Sequence, residues 1–193
     1  MIVAAVPVKR LSQAKSRLAG VLSREERESL VVYLLERTVA ALRESGAVDR
    51  IALVTAEADL AARLSVEWLP DAGSLNGSLR AAAVCASNAG AGGLLIIPAD
   101  LAFLRPDDVA HVVHARSANG GVVLAPAEDG GTAALFLTPP DVLPPSFGAH
   151  SARLHEVLAR GRSLNLRMVS TPTLCFDLDE EADYQRYTAG VSV

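Results

Sequence analysis

The feature that most constrains this chain is the regular alternation of short, wholly apolar segments with amphipathic ones. Residues 2–6 are apolar throughout. Ser23, with Glu26 three positions on, has the form of a capping box. Behind it Leu30, Val31, Leu34, Leu35, Thr38 and Leu42 recur at helical spacing, and Gly46 is a natural stop. Residues 50–55 predict a second strand, 57–64 a short helix, 65–69 a third strand, 76–88 an alanine-rich helix and 93–97 a fourth strand. Runs this short and this apolar suit parallel strands covered on both faces. The β-α-β-α order then calls for a parallel sheet with right-handed crossovers. The second half is less regular. It predicts a helix over 106–115, strands at 121–126 and 133–137, and a helix over 149–160 after a Pro-rich stretch. Edge strands are expected at 166–170 and 174–176, and a closing helix near 181–187. The expected fold is a single domain over residues 1–193, a three-layer α/β sandwich with a mixed, mostly parallel sheet.

Composition narrows the function. Half of the 193 residues are apolar, and 18 basic residues face 22 acidic ones for a net charge of −4. Nothing in that balance draws the chain to nucleic acid or to a membrane surface. The apolar runs fall far short of the roughly 20 residues that span a bilayer, and no secretory leader is legible. Cys85 and Cys175 match no metal or redox spacing. The expectation is a cytoplasmic domain with neither nucleic acid nor membrane as partner.

Ligands of open α/β sheets bind beyond the carboxyl ends of the strands. After the first strand come Lys9, Arg10, Lys15 and Arg17, four cations in nine residues. Placed there, spaced Lys and Arg suit a polyphosphate, although a solvated loop is the plainer reading. No Walker A loop and no GxG dinucleotide fingerprint are present. The fourth strand ends in Pro98-Ala99-Asp100, which sets a carboxylate where Mg²⁺, a cation that prefers oxygen, can be held; a helix cap is the plainer alternative. Asp177 and Asp179, at i and i+2, share one side of an extended segment and repel unless a cation lies between them. The glycines of 128–132, before Thr132, offer backbone N–H groups to an anion or simply make a hairpin turn. Gly148 and Ser151 sit at a helix start. His150 and His155 have no matched partner in the sequence and read as surface histidines.

Six segments in order, PVKRLSQAKSRL, LNGSLRAA, IPADLAFL, EDGGTAAL, FGAHSARLH and FDLDEEADY, resemble the 2-phospho-L-lactate / phosphoenolpyruvate guanylyltransferases of coenzyme F420 biosynthesis. The resemblance runs from Val6 to Tyr184. It implies a nucleotidyltransferase sandwich, Rossmann-like and related to the molybdenum-cofactor guanylyltransferases. It further implies that GMP passes from GTP to a three-carbon phosphoacid, either phosphoenolpyruvate or 2-phospho-L-lactate, with release of pyrophosphate. By that resemblance Asp100, Asp177 and Asp179 hold Mg²⁺, and Thr132, Gly148 and Ser151 contact the acceptor. Lys9, Lys15 and Arg17 hold the triphosphate, and Asn76 and Gly77 belong to the nucleotide pocket. A homodimer is left open. Ala133 stands where the family pattern leads one to expect an asparagine, which removes a polar group from beside the acceptor pocket.

Two alternatives remain at this point. One is an enzyme of the same fold with another phosphorylated acceptor, such as a molybdopterin or a sugar phosphate. The GG-x-S-x-R-x-G loop expected of those enzymes is missing after the first strand. The other is a non-catalytic nucleotide- or phosphometabolite-binding protein, against which the three retained aspartates speak.

Overall fold

The computed structural model describes residues 1–190. Seven strands form one sheet: β1 (Ile2–Pro7), β2 (Arg50–Thr55), β3 (Glu67–Pro70), β4 (Gly93–Ile96), β5 (Gly121–Pro126), β6 (Thr132–Thr138) and β7 (Leu166–Met168). The helices are α1 (Arg24–Glu44), α2 (Ala58–Arg63), α3 (Leu75–Asn88), α4 (Pro106–His114), α5 (Ser151–Gly161), α6 (Pro172–Cys175) and α7 (Glu181–Thr188). The strand order is β3-β2-β1-β4-β6-β5-β7. β1 pairs in parallel with β2 and β4, β2 with β3, and β5 with β7. β6 alone runs against its neighbours β4 and β5. The mixed, mostly parallel sheet expected from the sequence is what forms.

Strand alternation builds the three layers. Ala4 and Val6 of β1, Leu95 of β4 and Val123 of β5 face a core shared with α1, α2 and α4. Their neighbours Val3, Ala5, Leu94, Ile96, Val122 and Leu124 face the opposite core, against α3 and α5. Successive side chains point to opposite faces, so a strand buried on both must be apolar throughout. The box at the start of α1 also forms. Glu26 N–H donates to Ser23 Oγ at 3.2 Å, and Ser23 N–H to the Glu26 carboxylate at 2.7 Å. Among the described residues no helix is long and apolar enough to cross a membrane.

One element differs. Residues 174–176 lie at the end of α6 and do not form an edge strand. Thr171 caps that turn by accepting from Leu174 N–H, and Pro172 occupies its first helical position, where a missing N–H costs nothing. Thr171 and Thr173 also donate their hydroxyls to the buried carboxylate of Asp108 on α4, at 2.5 and 2.8 Å. This ties down the chain just before Phe176.

Candidate active site

The chain leaves β1 outward to β2 and β3, then returns to β4 on the other side of β1. Beyond the carboxyl ends at that switch lies a cavity of about 620 Å³. Pro7, Val8 and Lys9 after β1, Val54 at the end of β2, and Pro98, Ala99 and Asp100 after β4 line it.

One wall carries the charge. Residues 8–18 fold back over the cavity through two short 3-10 turns, Leu11–Gln13 and Ser16–Leu18, anchored by the buried Leu18. Lys15 joins the turns in the left-handed region, φ +49°, an uncommon conformation for a residue with a Cβ. Its side chain is only 6% exposed, and Nζ reaches Asp100 at 2.9 Å and Asp179 at 3.6 Å. Arg17 pairs from the open side with Asp179 at 3.0 Å and Glu180 at 3.1 Å.

The acidic segment is placed by its apolar residues. Phe176 and Leu178 are buried with Leu18, Leu34 and Ala102, and Leu178 N–H donates to the Asp100 carbonyl at 3.0 Å. Asp177 and Asp179 therefore lie alongside Asp100, and all three line the cavity. Burial, and then the facing charges of Asp100 and Asp129, push the Asp177 carboxyl up to about 6. An all-oxygen donor set whose members repel one another fits a hard divalent cation. Among the described residues no three His, Cys, Asp or Glu side chains close into a cage for one.

Asp129 apart, the opposite wall is neutral. The turn between β5 and β6 brings Thr132 beside the start of α5, where Ala152 N–H donates to the Gly130 carbonyl at 3.3 Å. Thr132 Oγ1 and Ser151 Oγ, both buried, are 2.8 Å apart. His155, one turn further along α5, brings Nδ1 to 3.0 Å from Thr132 Oγ1, and its Nε2 accepts from Ser146 N–H at 2.9 Å. The ring is fully buried, and burial holds its pKa down at about 4, so it is neutral at pH 7. Gly148, in the loop before α5, has φ +136°, which suits only glycine.

Nine of the sequence-predicted site residues open onto this one cavity: Lys9, Lys15, Arg17, Asp100, Thr132, Gly148, Ser151, Asp177 and Asp179. Asn76 and Gly77 do not line it. The Asn76 amide is taken up by the backbone of Phe147, donating to its carbonyl at 2.9 Å and accepting from its N–H at 2.7 Å. Gly77 N–H donates to Ser74 Oγ, the cap of α3. The residues of that loop which do face the cavity are Asp71, Gly73, Ser74 and Leu75, together with Ser78 on α3.

Two sequence-based expectations are corrected, and one choice between two readings is decided. His155 is not a surface histidine but the most enclosed polar group of the site. Its spacing of four from Ser151 was the available signal, since i and i+4 share a helix face. Of the two readings the sequence left open for the glycine turn, the hairpin is the one that forms, since Gly130 N–H donates to Ala127 O and Gly131 N–H to Asp129 Oδ1. Ala133 is buried in the apolar core on the α1 and α4 side and does not line the cavity, so it takes no polar group from the acceptor pocket.

Comparison with known proteins agrees with this geometry. The model of the family described as "Guanylyl transferase CofC like" matches residues 2–187. A phosphoenolpyruvate guanylyltransferase of Chloroflexus aggregans is 41% identical over 198 residues, covering 98% of each chain. One from Sphaerobacter thermophilus is 40% identical and covers 95% of this chain and 90% of that one. Among solved structures, a Desulfovibrio desulfuricans protein assigned as a nucleotide-diphospho-sugar transferase superposes with a TM-score of 0.83 at 15% identity, over 96% of this chain and 85% of that one. A nucleotidyl transferase from Methanothermobacter gives 0.66 at 18% identity, over 96% and 95%. At such identities these two speak for the fold alone. The family match spans nearly the whole chain, and curated relatives match it end to end: the chain belongs to the guanylyl transferase CofC-like family.

Proposed function

We propose that this chain transfers GMP from GTP to phosphoenolpyruvate or 2-phospho-L-lactate, releasing pyrophosphate, as a step towards coenzyme F420. One observation carries the reading: cations, carboxylates and neutral hydroxyls line a single cavity at the switch point of the sheet. Lys9, Lys15 and Arg17 would grip the triphosphate. Thr132, Gly148 and Ser151 would receive the three-carbon acid. The charges of Asp100 and of Asp129 in the β5–β6 turn both act on Asp177, which suits a carboxylate that would stand where the two subsites meet. The names of the relatives favour phosphoenolpyruvate as acceptor.

In the reaction an acceptor phosphate oxygen attacks the α-phosphorus of GTP, and the bond from that phosphorus to the bridging β-phosphate oxygen breaks. A phosphate monoester is already ionised near neutral pH, so no general base is needed. The task of the protein is to bring two anions together in line and to steady the leaving charge. Asp100, Asp177 and Asp179 would hold Mg²⁺, which when bound neutralises phosphate oxygens of attacker and leaving group. Lys15, released from Asp100 and Asp179, has the reach and the charge to follow the pyrophosphate oxygens.

The test is pyrophosphate release from GTP with Mg²⁺, run beside phosphoenolpyruvate, 2-phospho-L-lactate and 3-phosphoglycerate. Release with one of the first two is expected. Silence with both, in a protein that still binds GTP, overturns the acceptor assignment.

A further inference from the structure

We propose that His155 is a positioning residue that makes Thr132 and Ser151 present a hydrogen donor to an anionic oxygen of the acceptor, a carboxylate or a phosphate. This rests on the acceptor reading above and adds the group that sets the polarity of that subsite.

Two hydroxyls bring two protons, and the 2.8 Å bond between Thr132 and Ser151 uses one of them. The fate of the other depends on the histidine. If Nδ1 carries a hydrogen, it donates to Thr132 Oγ1, and one hydroxyl hydrogen remains for the cavity that both residues line. If Nδ1 is bare, the ring accepts that hydrogen, and the pair turns only lone pairs towards the ligand. A carboxylate or phosphate would be attracted in the first state and repelled in the second.

The backbone chooses between them. A peptide N–H can only donate, so Ser146 N–H at 2.9 Å requires a bare Nε2. A neutral ring must then carry its hydrogen on Nδ1, and complete burial with the edge-on Phe147 ring at 5.3 Å keeps it neutral. The Ser146 N–H is itself held, because the Asn76 amide clamps the next residue, Phe147, at both backbone groups. A line of hydrogen bonds thus runs from α3 through the 146–148 loop and His155 to the two hydroxyls.

Nitrogen NMR of the unmodified protein reads the tautomer directly. A protonated Nδ1 with a bare Nε2 is expected; the reverse, or a charged ring, overturns the proposal. Two variants read the consequence. His155→Gln places an amide near the Nε2 position, where it still meets Ser146 but no longer feeds Thr132. His155→Asn places an amide nitrogen near Nδ1 and keeps that donor. The KM for the acceptor should rise about tenfold or more in the glutamine variant, with the KM for GTP unmoved, and should recover most of the way in the asparagine variant. A rise common to both substrates, or no rise at all, overturns the proposal. If neither variant folds, the NMR measurement on the unmodified chain still decides. A wild-type protein that uses neither acceptor sinks the functional reading instead, and the ring tautomer again decides the relay separately.

Discussion

The two walls of the cavity are built on opposite principles. The charged wall is made of loops, and two of its aspartates are a third or more exposed, Asp100 at 33% and Asp179 at 41%. They are held by Lys15, and Asp177 sits among like charges. The neutral wall is made of a strand, a helix start and a fully buried imidazole, its three side chains are joined by hydrogen bonds to one another, and the Ser146 N–H fixes the ring. On the proposed function, the first wall would exchange partners when phosphates and a metal arrive. The second is rigid before any ligand comes. Pre-organisation is cheap to maintain with neutral groups in a dry site, whereas a buried charge is stable only with a partner that must later be given up.

The largest expected effect breaks the charged wall. Asp177→Asn should lower turnover by about a hundredfold or more, since a metal ligand supplies several kcal/mol of charge stabilisation. The same change should raise the melting temperature of the metal-free protein, because it removes a charge disfavoured by burial and by Asp100 and Asp129. A variant that is both active and no more stable would erase the contrast between the walls.

The neutral wall responds to acid. Folding lowers the His155 pKa from 6.5 to about 4, so between those values the unfolded chain binds more protons than the folded one. The stability from a neutral His155 is complete above pH 6.5 and is lost as pH falls towards 4, by about 3 kcal/mol in all. Denaturant titrations across that range should show the slope in the wild type and lose it in His155→Gln. An unchanged slope would mean that other groups govern acid unfolding.

A smaller effect separates the substrates. Lys15→Ala should reduce kcat/KM for GTP by about ten- to a hundredfold and leave the KM for the acceptor nearly unchanged, because on the proposed function the lost group would face the triphosphate. An equal loss for both substrates would place Lys15 across the whole site. The smallest sharpens the boundary. Asn76→Ala releases the Phe147 backbone, so the KM for the acceptor should rise up to about tenfold, at a cost of about 1–2 kcal/mol. A rise confined to GTP would return Asn76 to the nucleotide side, as the family resemblance implies.

Much of the charged wall was legible because its signals are local. A carboxylate at the end of an apolar strand, as at Asp100, and the alternation of Phe176, Asp177, Leu178 and Asp179 need only the pleat of an extended chain to be interpreted. The strands and the box at Ser23 are visible for the same reason. The neutral wall was not legible. Thr132 and Ser151 were named through the family resemblance, and the one local sign of His155 is its spacing of four from Ser151, which does not tell that this helix face lies buried against Thr132. The partners of Asn76 and Lys15 are 71 and 85 positions away. The strand expected at 174–176 failed because Thr171 and Pro172 start a helical turn whose threonines find Asp108, more than sixty positions earlier.

By itself the sequence determined the layers, the order of the elements and which chain segments meet at the switch point. Periodicity and apolar runs state which faces must leave water, and few sheets satisfy that demand. Only the tertiary structure decided which polar group answers which. The pairing of Lys15 with two aspartates, the reach of Asn76 to Phe147 and the tautomer of His155 depend on distances of about 3 Å between segments far apart in the chain. A hydrogen bond is lost over an ångström, while hydrophobic burial tolerates several arrangements, so the pattern of residues specifies the second far better than the first.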